Sequence, residues 1–204
     1  MSKLNEFSDM TWERSLEAQV RTLDNAVRFL RANAENMRAL VRTAARVRGF
    51  HFFTGVGKNG FVAEKVASTF NSLGLRSMFV DPVNTLHGDM DIFSPSDLLY
   101  SISKSGETEE LIRFHTALRK LDFRNICLIT SRARSTLSQL SRVVLEVPVS
   151  HEADHLGLAP VASSVVYMAV LQSVAVELSS SRGFTRRDFV RCHPGGSLGR
   201  TRIQ

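Results

Sequence analysis

The stretch SISKSGET at residues 101–108 places four hydroxyl side chains and a glycine where an apolar run turns into a helical pattern. Unpaired amides at a helix amino terminus attract anions, and hydroxyls add hydrogen-bond donors, so the stretch suits a phosphate group. Ordinary helix capping by Ser105 or Thr108 would use the same residue types, with Glu107 and Glu109 favouring the first turn. Both interpretations are open from these residues alone.

Around this stretch, β-rich runs alternate with helical segments. Five runs read as strands, at residues 51–54, 77–80, 98–102, 125–130 and 143–147. The intervening helices are expected at about residues 59–73, 107–121, 135–140 and 159–180, the last of them apolar nearly all round. This alternation predicts an α/β fold, a three-layer αβα sandwich around a five-stranded parallel sheet.

The amino-terminal segment has a helical period instead. Its apolar residues recur at three- and four-residue spacing from residue 10 to about 47, which predicts one long helix or two with a break at residues 33–36. With 204 residues the chain suits one domain. We therefore expect a helical extension over residues 1–48 and a single α/β domain over residues 49–204.

Composition limits the classes of partner. The net charge of +6 favours anionic ligands, but the arginines are dispersed and form no basic stripe, so no nucleic-acid partner is expected. The sequence has no apolar signal core and no run of about 18 uninterrupted apolar residues, so we expect a cytoplasmic protein without a membrane partner. Cys127 and Cys192 lack disulfide or zinc-ligand spacing, and we expect no metal and no cofactor.

Four sequence blocks together resemble the sugar isomerase (SIS) domain family, in particular its arabinose-5-phosphate isomerase branch. They are the SxSGET stretch, GVGKNG at residues 55–60, HGD at residues 87–89 and HPGGSLG at residues 193–199. The resemblance covers about residues 40–200. It implies a flavodoxin-like SIS fold, a homo-oligomer, most simply a tetramer, and a phosphorylated sugar substrate. The implied reaction interconverts ribulose 5-phosphate and arabinose 5-phosphate through an enediol.

Such a reaction needs a base that moves a proton between adjacent carbons and a group that polarises the oxygens. The resemblance places four residues at catalytic positions: Lys58, Glu110, Glu152 and His193. It places the substrate contacts at Gly57, Asn59, His87, Ser103, Ser105 and Thr108. In our hypothesis Glu152 is the base, Lys58 stabilises the developing oxyanion, Glu110 orients Lys58 or a hydroxyl, and His193 assists ring opening or proton shuttling.

The sequence departs from the family in several places and leaves alternatives open. Residues 161–165 read VASSV where members usually have a run of hydroxyls, and Asp154-His155 replaces a Cys-Pro pair. A sugar-phosphate sensor without turnover, or an isomerase of another phosphosugar, would fit these changes. GVGKNG also matches the dinucleotide fingerprint, with Asp81 as the ribose-binding acid. Many members continue into cystathionine-β-synthase-type (CBS) domains, and we expect a stand-alone form here.

Overall fold

The sheet sets the framework of the molecule. The structure is a computed structural model that describes residues 11–195. Its five strands are all parallel, in the order β2-β1-β3-β4-β5, and every strand predicted from the sequence is present. They are β1 (His51–Gly55), β2 (Ser77–Phe79), β3 (Leu98–Ile102), β4 (Ile126–Thr130) and β5 (Val143–Glu146).

Helices cover both faces of the sheet. They are α1 (Thr11–Ala32), α2 (Ala34–Ala45), α3 (Lys58–Ser72), α4 (Pro82–Thr85), α5 (Glu109–Lys120), α6 (Thr136–Leu140), α7 (Ala162–Ser181) and α8 (Arg186–Cys192). α1, α2, α3 and α7 pack together on one face, and α4, α5 and α6 lie on the other. The predicted three-layer αβα sandwich is confirmed.

Side chains of the central strand β3 alternate between the two layers, as the two-residue period of a strand requires. Leu98, Tyr100 and Ile102 belong to the large core shared with α3 and α7. Leu99 faces the opposite layer, where it packs with Phe114 of α5. All of these side chains are buried, so the sheet is covered on both faces, as parallel sheets require.

The amino-terminal helices are part of this packing. The predicted break is confirmed, because Asn33 separates α1 from α2 and its side-chain amide donates to the Phe29 carbonyl at 3.0 Å. Ala26, Leu40 and Ala44 are buried in the same core as the sheet. These helices therefore share one hydrophobic core with the α/β unit, and the boundary at residues 48 and 49 stays a prediction.

α7 is long and apolar enough to cross a bilayer by length and composition alone, but 56% of its most apolar window is buried inside the fold. It packs against α3 and α1, and Lys65 Nζ of α3 donates to Gln172 Oε1 of α7 at 3.3 Å. That burial is the behaviour of a core helix. The bond between Lys65 and Gln172 shows that α3 and α7 lie side by side.

The strand order creates a crevice. From β1 the chain crosses through α3 to β2 on one side, whereas from β3 it crosses through α5 to β4 on the other. β1 and β3 are neighbours, so the two connections diverge between them. Ligands of open parallel sheets bind at such a point, beyond the carboxyl ends of the strands. The loops after β1 and β3 both reach this edge.

Candidate active site

The loop between β3 and α5 is held by its own side chains. Ser103 is fully buried, and its Oγ lies 2.8 Å from Thr108 Oγ1 and accepts a hydrogen bond from the Gly106 amide at 3.1 Å. The Lys104 carbonyl accepts from the Ser131 amide at 3.1 Å, which ties the loop to the end of β4. The loop is therefore fixed before any ligand arrives.

Glycine is the one residue type that fits at position 106. Its φ of +69° lies in the left-handed region, and a Cβ there would come within 2.1 Å of Ser135 Oγ. The Gly106 carbonyl also accepts from the Leu137 amide at the start of α6. The glycine thus lets the loop lie directly against α6.

The start of α5 lacks the ordinary side-chain cap that its sequence would allow. Thr108 occupies the position before the helix, but its side chain accepts no hydrogen bond from the first turn. Ser105 Oγ accepts from the Glu107 amide, which precedes the helix. The Glu107 carboxylate accepts from the Thr136 amide, and hydrogen bonds from the side chain and the amide of Thr136 lower the pKa of Glu107. The first-turn amides of α5 are without a side-chain cap in the described structure. They are free to bind an anion.

The loop between β1 and α3 gives a second uncapped helix start in the same crevice. Gly57 precedes α3 with a φ of +60° and offers no side chain to cap it. Gly55 and Gly60 allow close packing, since a Cβ on Gly55 would lie 2.7 Å from the Asn59 carbonyl oxygen. Lys58 begins the helix with an exposed side chain, and the buried Asn59 Oδ1 has no partner among the residues described.

Asp81, the acidic residue of the dinucleotide interpretation, is a helix cap in this structure. Asp81 Oδ1 accepts from the amides of Val83 and Asn84 at 3.0 and 2.7 Å, so this carboxylate caps the short helix α4. The capping bonds give Asp81 a structural role in this loop that requires no ribose. His87 follows α4 with an exposed side chain, in the loop that connects β2 to β3.

Glu152 is a buried carboxylate at the start of α7, with 8% of the residue exposed. Its Oε2 accepts from the amides of Ala162 and Ser163 at 2.9 and 3.1 Å, and its Oε1 lies 2.5 Å from Lys104 Nζ. Burial alone would raise the pKa of Glu152, but the bonds from Lys104 and Ser163 outweigh it, and the pKa is lowered. Glu152 is therefore ionised near neutral pH.

Lys104 is the site residue that sequence reasoning missed. It stands inside the SISKSGET stretch, but only the fold brings it to Glu152, 48 residues away. The segment before Glu152 is fixed by Ser131, whose Oγ lies 2.6 Å from the Tyr167 hydroxyl and accepts from the Val149 amide. A cleft of about 460 Å³ lies between Lys104 and Ser105 on one side and residues 148–150 on the other.

Among the described residues, two predicted catalytic residues make no hydrogen bond or ion pair with Lys104 or Glu152. Glu110 is the second residue of α5 and points to solvent, with an exposed side chain. His193 follows α8, where its Nδ1 donates to the Phe189 carbonyl at 2.7 Å and its ring stacks on Phe189. Residues 196–199 of the HPGGSLG block lie outside the described residues. Among residues 11–195, no group of three or more histidine, cysteine or acidic side chains is arranged to hold a metal ion.

α8 lies at the opposite edge of the sheet from the crevice. Cys192, the residue before His193, lines a surface cavity together with Gly74 and Leu75, which precede the amino end of β2. The phosphate loop follows the carboxyl end of β3. A five-residue strand spans about 16 Å, so His193 does not reach the crevice of its own chain.

The sequence is similar to those of two arabinose 5-phosphate isomerases. Arabinose 5-phosphate isomerase KdsD of Escherichia coli K12 is 42% identical over 146 residues, which are 72% of this chain and 44% of the relative. Arabinose 5-phosphate isomerase KpsF of Escherichia coli O6:H1 is 39% identical over 153 residues, 75% of this chain and 46% of the relative. The chain thus spans less than half the length of these curated relatives.

Solved structures show the same fold. A protein of Escherichia coli CFT073, solved in complex with arabinose 5-phosphate, superposes with a TM-score of 0.84 at 32% identity, covering 94% of this chain and all of that one. A sugar-phosphate isomerase homologue from Listeria monocytogenes superposes with a TM-score of 0.79 at 25% identity, covering 91% of this chain and 94% of that one. The family model of the SIS domain matches residues 51–177, more than half of the sequence. The chain therefore belongs to the SIS domain family.

Proposed function

We propose that this protein is an aldose–ketose isomerase that interconverts ribulose 5-phosphate and arabinose 5-phosphate through an enediol, in the cytoplasm and without a metal ion. The observation that carries the proposal is the pairing of two uncapped helix starts with a buried, ionised carboxylate at one edge of the sheet. The 39–42% identity to arabinose 5-phosphate isomerases supports the choice of sugar.

The phosphate would bind at the start of α5. The free first-turn amides and the hydroxyls of Ser105 and Thr108 supply donors for its oxygens, the buried Ser103 holds Thr108 in place, and the helix dipole favours the phosphate charge. The sugar chain would then extend towards α3, where Gly57, Asn59 and the exposed His87 offer contacts to its hydroxyls.

Proton transfer is assigned to Glu152. Its carboxylate removes the proton from the carbon beside the carbonyl, the electron pair enters the enediolate, and the resulting carboxylic acid exchanges its proton with solvent and then protonates the neighbouring carbon. Lys58, at the start of α3, stabilises the developing negative oxygen, and Glu110 orients Lys58 or a substrate hydroxyl. These roles remain the assignments drawn from the family resemblance.

We also propose a homo-oligomer, with four subunits as its expected state. His193 lies at the far edge of its own chain, so it would serve the crevice of a neighbouring copy. α1 carries an exposed apolar stripe of Trp12, Leu16, Val20 and Val27 on one face, which a second copy would cover. Light scattering of the wild type and Leu16→Glu tests this, because a monomeric wild type would contradict it.

The activity is tested by proton NMR in deuterated buffer that contains a chelator. Purified protein should convert ribulose 5-phosphate to arabinose 5-phosphate with deuterium at C2, and Glu152→Gln should lose that conversion. Glu177→Gln, a carboxylate on α7 outside the site, is the matched control and should keep wild-type turnover. Conversion at the wild-type rate by Glu152→Gln would refute Glu152 as the base.

A second candidate function is a sugar-phosphate sensor that binds without turnover. The observation that favours it is the engagement of both Glu152 oxygens, one with Lys104 and the other with two amides of α7. The same NMR experiment separates the two functions. Arabinose 5-phosphate that binds but is never interconverted would establish the sensor.

A further inference from the structure

Lys104 connects the phosphate loop to the proposed base. It lies between Ser103 and Ser105, yet its ammonium is turned away to Glu152, 2.5 Å from Oε1. The two partners differ in access, since 35% of the Lys104 side chain is exposed but only 3% of the Glu152 side chain. An arriving ligand can therefore reach Lys104 directly, whereas Glu152 is reached through it.

Lys104 is the one positively charged partner of the Glu152 carboxylate among the described residues. Oε2 remains bound to two amides of α7, and Oε1 has Lys104 as its hydrogen-bond partner. Lys104 is the one charged side chain among the causes that lower the pKa of Glu152, against the effect of burial. The Tyr167 hydroxyl, on α7, is the other titratable group that senses this carboxylate. Moving Lys104 would free Oε1 alone and leave the carboxylate anchored by Oε2.

We propose that Lys104 is a positioning residue that couples phosphate binding to the release of Glu152 Oε1. This inference rests on the isomerase function proposed above. A phosphate monoester carries about −1.5 to −2 charges at pH 7, so it competes with the single charge of Glu152 for the ammonium. When the phosphate occupies the start of α5, Lys104 swings to it, and Oε1 becomes the atom that takes the proton from the substrate carbon.

The coupling gives the enzyme selectivity for phosphorylated sugars beyond simple affinity. A sugar without a phosphate leaves Glu152 paired with Lys104, and the base stays engaged. The mechanism also balances without another reactant: Oε1 takes one proton from the first carbon and delivers one, exchanged with solvent, to the next, a proton moves between the two substrate oxygens, and the ammonium keeps its charge throughout.

The test uses Lys104→Met, which removes the charge and keeps the length of the side chain, together with Lys104→Arg, which keeps the charge. Lys65→Met, on α3, is the matched control for loss of a lysine outside the loop. Binding of inorganic phosphate, measured by calorimetry, should weaken about tenfold or more in Lys104→Met. It should stay within about twofold of the wild type in the other two variants.

The second readout is the pH profile of kcat/KM for arabinose 5-phosphate. Without Lys104 the pKa of Glu152 rises, so Lys104→Met should lose activity at a higher pH than the wild type on acidification. Lys104→Arg should restore the wild-type profile. An unchanged acidic limb together with unchanged phosphate binding in Lys104→Met would overturn the proposal. Absence of turnover in the wild type would refute the isomerase function instead, and phosphate binding would still decide the role of Lys104.

Discussion

Gly106→Ala is the substitution whose cost the geometry determines best. A side chain at a φ of +69° costs about 1–2 kcal/mol relative to glycine. The new Cβ would also lie 2.1 Å from Ser135 Oγ and 2.5 Å from Ser135 Cβ, and relieving such an overlap costs about 1–3 kcal/mol. The free energy of unfolding should fall by about 2–5 kcal/mol.

Gly183→Ala is the matched control, because Gly183 has a φ of +67° but nothing within 4 Å of its Cβ position. It should lose only the backbone contribution, about 1–2 kcal/mol. Urea unfolding of both variants isolates the steric cost of closing the phosphate loop against α6. If Gly106→Ala is no less stable than Gly183→Ala, the close approach of the loop to Ser135 is wrong.

The remaining predictions concern the phosphate loop and the buried histidines. Ser103→Ala should weaken binding of arabinose 5-phosphate about tenfold, because Gly106 and Thr108 lose their shared hydrogen-bond partner. Ser173→Ala, on the exposed side of α7, is the control. Equal affinities of the two variants for arabinose 5-phosphate would contradict the prediction. Burial lowers the pKa of His51 to about 4 and that of His115 to about 3. Below about pH 6.5 the unfolded chain binds protons at these imidazoles while the folded chain does not. The free energy of unfolding therefore falls as the pH is lowered. Between pH 7 and 5 each histidine should lower the free energy of unfolding by about 2 kcal/mol. Urea unfolding of His115→Gln should show about half of the wild-type decrease over this range. A pH dependence equal to that of the wild type would show that His115 is not held neutral by burial.

Local patterns in the sequence predicted most of the fold. The five strands and the break at Asn33 could be predicted because apolar runs and the helical spacing of apolar residues are patterns among residues close in sequence. The short helix α4 was missed, since Asp81-Pro82 reads as a turn until its capping bonds are seen. α5 begins at Glu109 rather than Glu107, because the backbone of Thr108 is extended, with a φ of −69° and a ψ of 115°.

Only the part of the candidate site that lies within a single loop could be predicted from the sequence. Ser103, Ser105 and Thr108 are close together in sequence, so their grouping could be foreseen. The ion pair of Lys104 with Glu152 joins the loop after β3 to the segment between β5 and α7, 48 residues apart, and nothing local signals it. The position of His193 at the opposite edge likewise follows from the path of α8. Whether the amides of α5 are capped could be decided only from the hydrogen bonds of the folded chain.

The central claim is that the phosphosugar lies between the starts of α3 and α5, with its phosphate on α5. A titration of ¹⁵N-labelled protein with arabinose 5-phosphate, followed by transverse-relaxation-optimised NMR, tests this directly. The account predicts saturable shifts of the amides at residues 104–110 and 57–60. Shifts confined to the amino edge of the sheet, around Gly74 and Arg182, or no saturable shift at all, would contradict it.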